Sequence, residues 1–196
     1  MRGNRILFCL HYHLAKFSNK SVIMPTNVEI KAKVTNLEEL KSKAASLSDS
    51  SDVLVQEDTF FVTPNGRLKL REQKSRQSTG AELVYYERED TEGPKSSHFV
   101  KTPIPDPSGF KETLRQAIGI RGVVKKTRYL FMVGQTRVHV DQVNGLGDFM
   151  ELEVMMKDGQ SLEEGQAIAE DLMQKLGIDK KDLVTGAYMD HLEKTE

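Results

Sequence analysis

Ionisable side chains recur at every second position in six short stretches of this chain. Glu29, Lys31 and Lys33 alternate with Val28, Ile30, Ala32 and Val34. Arg67, Lys69 and Arg71 alternate with Leu68 and Leu70. Tyr86 and Arg88 share a parity opposite Leu83 and Tyr85, and Lys126 and Arg128 oppose Tyr129 and Phe131. Further on, Arg137, His139 and Asp141 oppose Val138 and Val140, while Glu151 and Glu153 oppose Leu152 and Val154. Successive side chains of a β-strand point to opposite faces, so each stretch carries one ionic and one apolar face.

A sheet with one wet face would account for any single stretch. Six together allow another arrangement, in which the ionic faces line one enclosed space. Bases there would exceed acids nine to four: Lys31, Lys33, Arg67, Lys69, Arg71, Arg88, Lys126, Arg128 and Arg137 against Glu29, Asp141, Glu151 and Glu153. Two like charges about 4 Å apart repel by about 4 kcal/mol at an effective dielectric near 20. Such a space calls for an anion. The carboxylates in turn call for a hard cation, and oxygen-only ligands favour Mg2+ or Mn2+ over zinc. A compact polyanion carrying Mg2+ answers both needs. A triphosphate is the natural candidate, since Arg and Lys clamp its oxygens while metal bridges them.

Enclosure requires a closed barrel. Eight strands are expected at 27–34, 56–62, 66–72, 82–88, 98–102, 123–132, 136–143 and 149–156, a number whose interior holds side chains or one small ligand. Turn signals at Thr63-Pro64-Asn65-Gly66, Val133-Gly134-Gln135 and Asn144-Gly145-Leu146-Gly147 separate several of them. The polar segment 73–81 is expected as a mobile loop, and 89–97 and 102–108 as connections. Helices are expected at 36–48, with Thr35 and Glu38 as a capping box, at 107–118 behind Pro107, and at 161–176 behind a Ser161–Glu164 box. A last helix follows near 186–194. If the helices lie on the barrel's apolar outside, the ionic faces become the lumen. The fold class is therefore α+β: a closed eight-stranded antiparallel barrel, or tunnel, with helices packed on the outside.

The chain has 196 residues, 28 Lys and Arg and 29 Asp and Glu. That suits one domain and gives no long-range attraction to nucleic acid or an anionic membrane. With one cysteine, Cys9, neither an intramolecular disulfide nor a Cys-based metal site can be built. No apolar run approaches the ~20 residues that span a bilayer. Residues 1–25 read as an N-terminal extension: basic, free of acids and holding Ile6-Leu7-Phe8-Cys9-Leu10. It is either a disposable tail ahead of Met24 or a transit peptide. The first reading places the protein in the cytoplasm, the second in the mitochondrion.

At these residues the sequence resembles the CYTH, or triphosphate tunnel metalloenzyme, family. Asn27-Val-Glu29-Ile-Lys31 is similar to the family's opening Glu-x-Glu-x-Lys strand, and Gln56-Glu-Asp58-Thr-Phe-Phe61 to its Gln-x-Asp-x-Tyr segment. Arg67-Leu-Lys69-Leu-Arg71 and Lys126-Thr-Arg128 resemble its two basic strands. The fullest match is Val140-Asp141-Gln-Val-Asn-Gly-Leu-Gly147-Asp148-Phe149-Met-Glu151-Leu-Glu153, and Ala187-Tyr188-Met-Asp190-His-Leu192 is similar to the terminal helix. The resemblance covers residues 27–194 and implies a single CYTH domain over 26–195. It implies Glu29, Glu151 and Glu153 as metal ligands supported by Asp141. Lys31, Lys69, Arg71, Arg88, Lys126 and Arg128 are the expected phosphate ligands, with Lys31, Arg88 and Arg128 the catalytic candidates. Two positions depart from the family pattern. Asn27 replaces the first glutamate, and Tyr86 stands where many members carry a lysine that Arg88 would replace.

The activity implied is Mg2+-dependent hydrolysis of a small triphosphate, inorganic or organic, such as thiamine triphosphate. The alternatives are a class IV-type adenylyl cyclase making cyclic AMP from ATP, and a polyphosphate-binding module without turnover. The expected partner is a small-molecule triphosphate, with neither nucleic acid nor membrane, on a monomer or homodimer. His139 is expected as a filler or hydrogen-bonding group in the lumen, and Gly145 and Gly147 as turn glycines.

Overall fold

The computed structural model describes residues 26–88 and 93–195. The expected N-terminal extension and residues 89–92 of the expected 89–97 connection lie outside them. Eight strands form: β1 (Thr26–Lys33), β2 (Ser50–Phe61), β3 (Arg67–Lys74), β4 (Thr79–Arg88), β5 (Lys95–Pro103), β6 (Ile120–Val133), β7 (Thr136–Val143) and β8 (Gly147–Met155). They close into an antiparallel barrel in the order β1-β5-β4-β3-β2-β6-β7-β8. Four helices accompany them: α1 (Leu37–Leu47), α2 (Pro107–Ile118), α3 (Leu162–Leu176) and α4 (Tyr188–Leu192). Among the described residues no helix is long and apolar enough to cross a membrane.

The barrel is inside out, as the alternation predicts. The apolar parities of β1 (Val28, Ile30, Ala32), β7 (Val138, Val140) and β8 (Met150, Leu152, Val154) are fully buried. Leu37, Leu40 and Ala44 of α1 and Ala169, Leu172, Met173 and Leu176 of α3 belong to the same apolar cluster. This outer cluster is the hydrophobic core. Because it takes the apolar faces, the ionic parities can only turn inward.

Helix ends follow local chemistry. The Ser161–Glu164 capping box forms at α3, with Ser161 Oγ accepting from Glu164 N and Glu164 accepting from Ser161 N. At α1 the cap is Asn36 rather than Thr35, because its Oδ1 accepts from Glu39 N at 3.2 Å. Helix α2 buries no residue fully. Lys111 ties it to Glu57 of β2 at 3.4 Å, and also to Glu72 of β3.

Three further differences from the sequence reading bear on the site. Segment 73–81 is a hairpin rather than a loop. Strands β3 and β4 stay paired from Arg67↔Tyr86 to Lys74↔Thr79, and Ser75 N bonds Ser78 O at 2.8 Å. The ladder satisfies the backbone of polar residues whose side chains need no core. Strand β2 starts six residues early and pairs β6 along its whole length, which adds Asp52 and Leu54 to the inward row of Gln56 and Asp58. The last helix also does more than pack outside. Its Tyr188 and Met189 cluster with Phe60, Val124, Val143 and Phe149 at one end of the barrel. Gly122 makes room there, since a Cβ on it would lie 2.5 Å from Met189. Just before α4, Val184 N bonds Lys31 O at 2.9 Å.

Leu152→Ala, in the centre of the outer core, should cost about 2–5 kcal/mol in urea or guanidinium unfolding. An unchanged midpoint would mean that the apolar face of β8 is not buried.

Candidate functional site

The lumen encloses a cavity of about 400 Å³. Eight basic side chains line it (Lys31, Lys69, Arg71, Arg88, Lys101, Lys126, Arg128 and Arg137) with six acidic ones (Glu29, Asp52, Asp58, Glu82, Glu151 and Glu153). Tyr86, Phe99, His139, Ala187 and Tyr188 complete much of the wall. The charge is therefore better balanced than the nine-to-four sequence count. Lys33 is exposed at the end of β1, and Arg67 turns to Asp190 of α4 at 2.7 Å. Asp52, on the added part of β2, and Asp58 and Glu82, on strands already expected, face the lumen instead.

All six expected phosphate ligands face this cavity, in two neighbouring groups. Strands β2, β3 and β6 bring Lys69, Arg71 and Lys126 together around Asp58, at 3.1, 2.7 and 3.5 Å. Strands β1, β4, β6 and β8 bring Lys31, Arg88 and Arg128 around Glu151, at 3.3, 3.9 and 2.8 Å. Arg88 also pairs with Glu29 and donates to the Gly186 carbonyl at 2.8 Å.

Burial and like charge shape the protonation states. Burial first, then Arg128 nearby, draws Lys126 down to about 7, although Asp58 pulls the other way. Burial and Arg71 draw Lys69 down to about 8. The carboxylates move opposite to what burial alone would do. Arg71, Lys69 and Lys126 hold Asp58 well below the usual carboxylate range. Arg128 holds Asp141 at about 2. His139 is lowered by burial and by Arg128, so its imidazole is neutral near pH 7; its Nδ1 lies 3.7 Å from Glu151 and, among the described residues, makes no hydrogen bond.

The expected metal ligands divide. Glu29 and Glu153 are direct cross-strand partners, and Glu151 stands on the same face of β8 opposite Lys31. This all-carboxylate set on two adjacent strands has the donor chemistry of a hard-cation site. Its present bonds go elsewhere: Glu29 to Arg88, and Glu153 to Asn27 at 2.6 Å and Arg137 at 3.1 Å. Among the described residues no three acidic or histidine side chains converge tightly enough to hold an ion. These rotamers must therefore turn for one to bind. Asp141 is fully buried and does not line the cavity. Its oxygens accept two bonds from Arg128, at 2.7 and 2.6 Å, and one from Tyr188 at 2.9 Å. That geometry makes it a clamp on Arg128.

Sequence reasoning missed Asp58 as a luminal acid and Tyr188 as a wall. Asp58 shares its parity with the apolar Phe60, so alternation by itself pointed it outward. Tyr188 carried no signal, because helical periodicity does not say which side of a barrel a helix takes.

Comparison with known proteins follows the same lines. Residues 25–188 match the model of the CYTH domain family. A relative from Aeromonas hydrophila named adenylate cyclase CyaB is 26% identical over 171 residues, covering 82% of this chain and 85% of its own. A solved structure from Pyrococcus horikoshii OT3 superposes with a TM-score of 0.70 at 26% identity, over 84% of this chain and 98% of its own. A Hippeastrum protein, described as revealing a dominant triphosphatase activity, superposes with a TM-score of 0.59 at 13% identity, over 87% of this chain and 96% of its own. At that identity the likeness speaks to the fold alone. A family match over most of the length, on an inside-out barrel with a cationic lumen, makes this chain a member of the CYTH domain family.

Proposed function

We propose that this protein hydrolyses a phosphoanhydride of a small triphosphate, inorganic or organic such as thiamine triphosphate, with Mg2+ or Mn2+. The observation that carries the reading is the enclosure of Lys31, Lys69, Arg71, Arg88, Lys126 and Arg128 in one cavity. Such a set matches the oxygens of a chain of phosphates and little else of that size. Lys69, Arg71 and Lys126 grip one phosphate, and Lys31, Arg88 and Arg128 another. Water attacks the terminal phosphorus, the bridging P–O bond breaks, and the diphosphate end leaves with the electron pair. Fixed cations offset the charge spread over the transferring group without reorganising. Glu29, Glu151 and Glu153 would hold the metal, which polarises the phosphoryl oxygens it touches. Tunnel enzymes of this family are metal-dependent in general, so a divalent ion belongs to the reading.

The name of the Aeromonas relative favours a second reading, cyclisation of ATP. Products separate the two. With Mg2+, free phosphate from tripolyphosphate or thiamine triphosphate supports hydrolysis. Cyclic AMP and pyrophosphate from ATP support cyclisation, and saturable binding without product contradicts both.

Glu151→Gln and Glu153→Gln should each abolish metal-stimulated phosphate release while circular dichroism keeps its β-sheet signature. Full activity in both variants would remove these residues from the metal site. Arg71→Ala should raise KM for tripolyphosphate by about tenfold or more, the scale of a lost charge-assisted hydrogen bond. An unchanged KM would put Arg71 away from the ligand. Lys126 and Lys69 bind phosphate best with their protons on. The kcat/KM profile, which reports the free protein, should therefore fall as pH rises through about 7 to about 8. A profile still level at about pH 9 would contradict charged lysines as phosphate ligands.

A further inference from the structure

Asp58 is the odd member of the phosphate-gripping group. An anion among three cations meant for an anion competes with the ligand. It is also among the most enclosed acids of the lumen, with 2% of its surface exposed. Its Oδ1 accepts from Arg71 Nε at 2.7 Å. Its Oδ2 accepts from Arg71 Nη2 at 2.7 Å, Lys69 Nζ at 3.1 Å and Lys126 Nζ at 3.5 Å. The bonds are graded. The planar fork of Arg71 is locked in a bidentate pair, whereas the two lysines hold the same oxygen at longer reach.

We propose that Asp58 is a positioning residue, an internal anion that keeps Lys69, Arg71 and Lys126 convergent and charged until a phosphate group takes over the two lysines. The inference rests on the triphosphate reading above. Without the carboxylate the three cations would repel by several kcal/mol, by the ~4 kcal/mol per close pair expected near a dielectric of 20. They would then spread or shed a proton. Lys126 is the member that would yield. It faces Asp58 from β2, Arg71 from β3, Arg128 on its own strand and Asp141 from β7, and it shares the Asp58 Oδ2 with Lys69 of β3. The Tyr188 ring of α4 lies 5.1 Å away. Among the described residues, Asp58 is the acid that accepts a hydrogen bond from it, at 3.5 Å. A terminal phosphate offers more charge and more oxygens than a carboxylate. It can therefore draw off the loosely held lysines while Arg71 stays on Asp58 through Nε and Nη2 and turns its remaining N–H groups to the phosphate.

The test is calorimetric titration of the full chain with tripolyphosphate from about pH 5.5 to about pH 9, for the parent, D58N and D58E. The parent should bind, with affinity falling at high pH. In D58N that fall should move to lower pH by about one unit or more, the shift one close opposite charge imposes. At about pH 8 the variant then binds about tenfold more weakly, and at about pH 5.5 as tightly as the parent or more so. D58E, which keeps the charge, should return the fall towards the parent position. A D58N curve with the parent midpoint, or one weakened equally at every pH, would overturn the proposal. A second readout covers a folding defect. Inorganic phosphate, an external anion for the missing internal one, should raise the melting temperature of D58N more than that of the parent, or restore its folding. No such difference would also overturn it. A parent that binds no tripolyphosphate at any pH counts against the triphosphate reading, and phosphate rescue then tests Asp58 by itself.

Discussion

Eight basic side chains inside a small barrel are tolerable only with anions close beside them. In this protein carboxylates supply that need: Asp58 under Lys69, Arg71 and Lys126, Asp141 under Arg128, and Glu151 beside Lys31 and Arg128. The lumen is a set of ion-paired clusters with a net positive balance, most marked at Asp58, which faces three cations. Buried ion pairs of this kind are seldom a net gain in stability, because desolvation offsets most of the attraction. The apolar surface under α1 and α3 carries the fold, and the ionic interior is where the proposed triphosphate would bind.

The same pairing decides how the molecule responds to pH. Asp58 and Asp141 have carboxyls depressed in the folded state. Their contribution to stability is complete above the ordinary carboxylate range and is lost as pH falls through the folded values. Lys69 and Lys126 are depressed as well, but for lysine the sign reverses. Their protons cost stability at and below about 7 to 8, and the cost lifts as pH rises towards the unfolded value. Working charge and fold stability therefore pull against each other in this pair. The conflict sits where a triphosphate, by binding, would resolve it.

Much of this was legible in the chain because strand parity is a strict code. Glu29, Lys31, Glu151 and Glu153 reach the cavity because their apolar neighbours have a core to enter, and Lys69, Arg71, Arg88, Lys126 and Arg128 reach it from the other strands of the same closed barrel. What parity cannot give is where a strand ends and what covers it. Lys33 falls past the last enclosed position of β1. Arg67 has the right parity, but it sits where α4 closes the barrel and its charge goes to Asp190. The hairpin at 73–81 was hidden because Ser, Gln and Gly look like loop residues. In a ladder at the barrel rim they need only backbone partners. Asp58 shares its parity with Phe60, an apolar residue that faces the cavity, so the rule that sends apolar faces outward misplaced it.

The most direct test is a crystal structure with tripolyphosphate and Mn2+ soaked in, using the anomalous signal to place the metal. Phosphate oxygens should lie within hydrogen-bonding distance of Lys69, Arg71, Lys126 and Arg128, with the manganese peak beside Glu151 and Glu153. A ligand bound on the outer surface, or a lumen holding neither at saturating concentration, would contradict an interior built to receive phosphate.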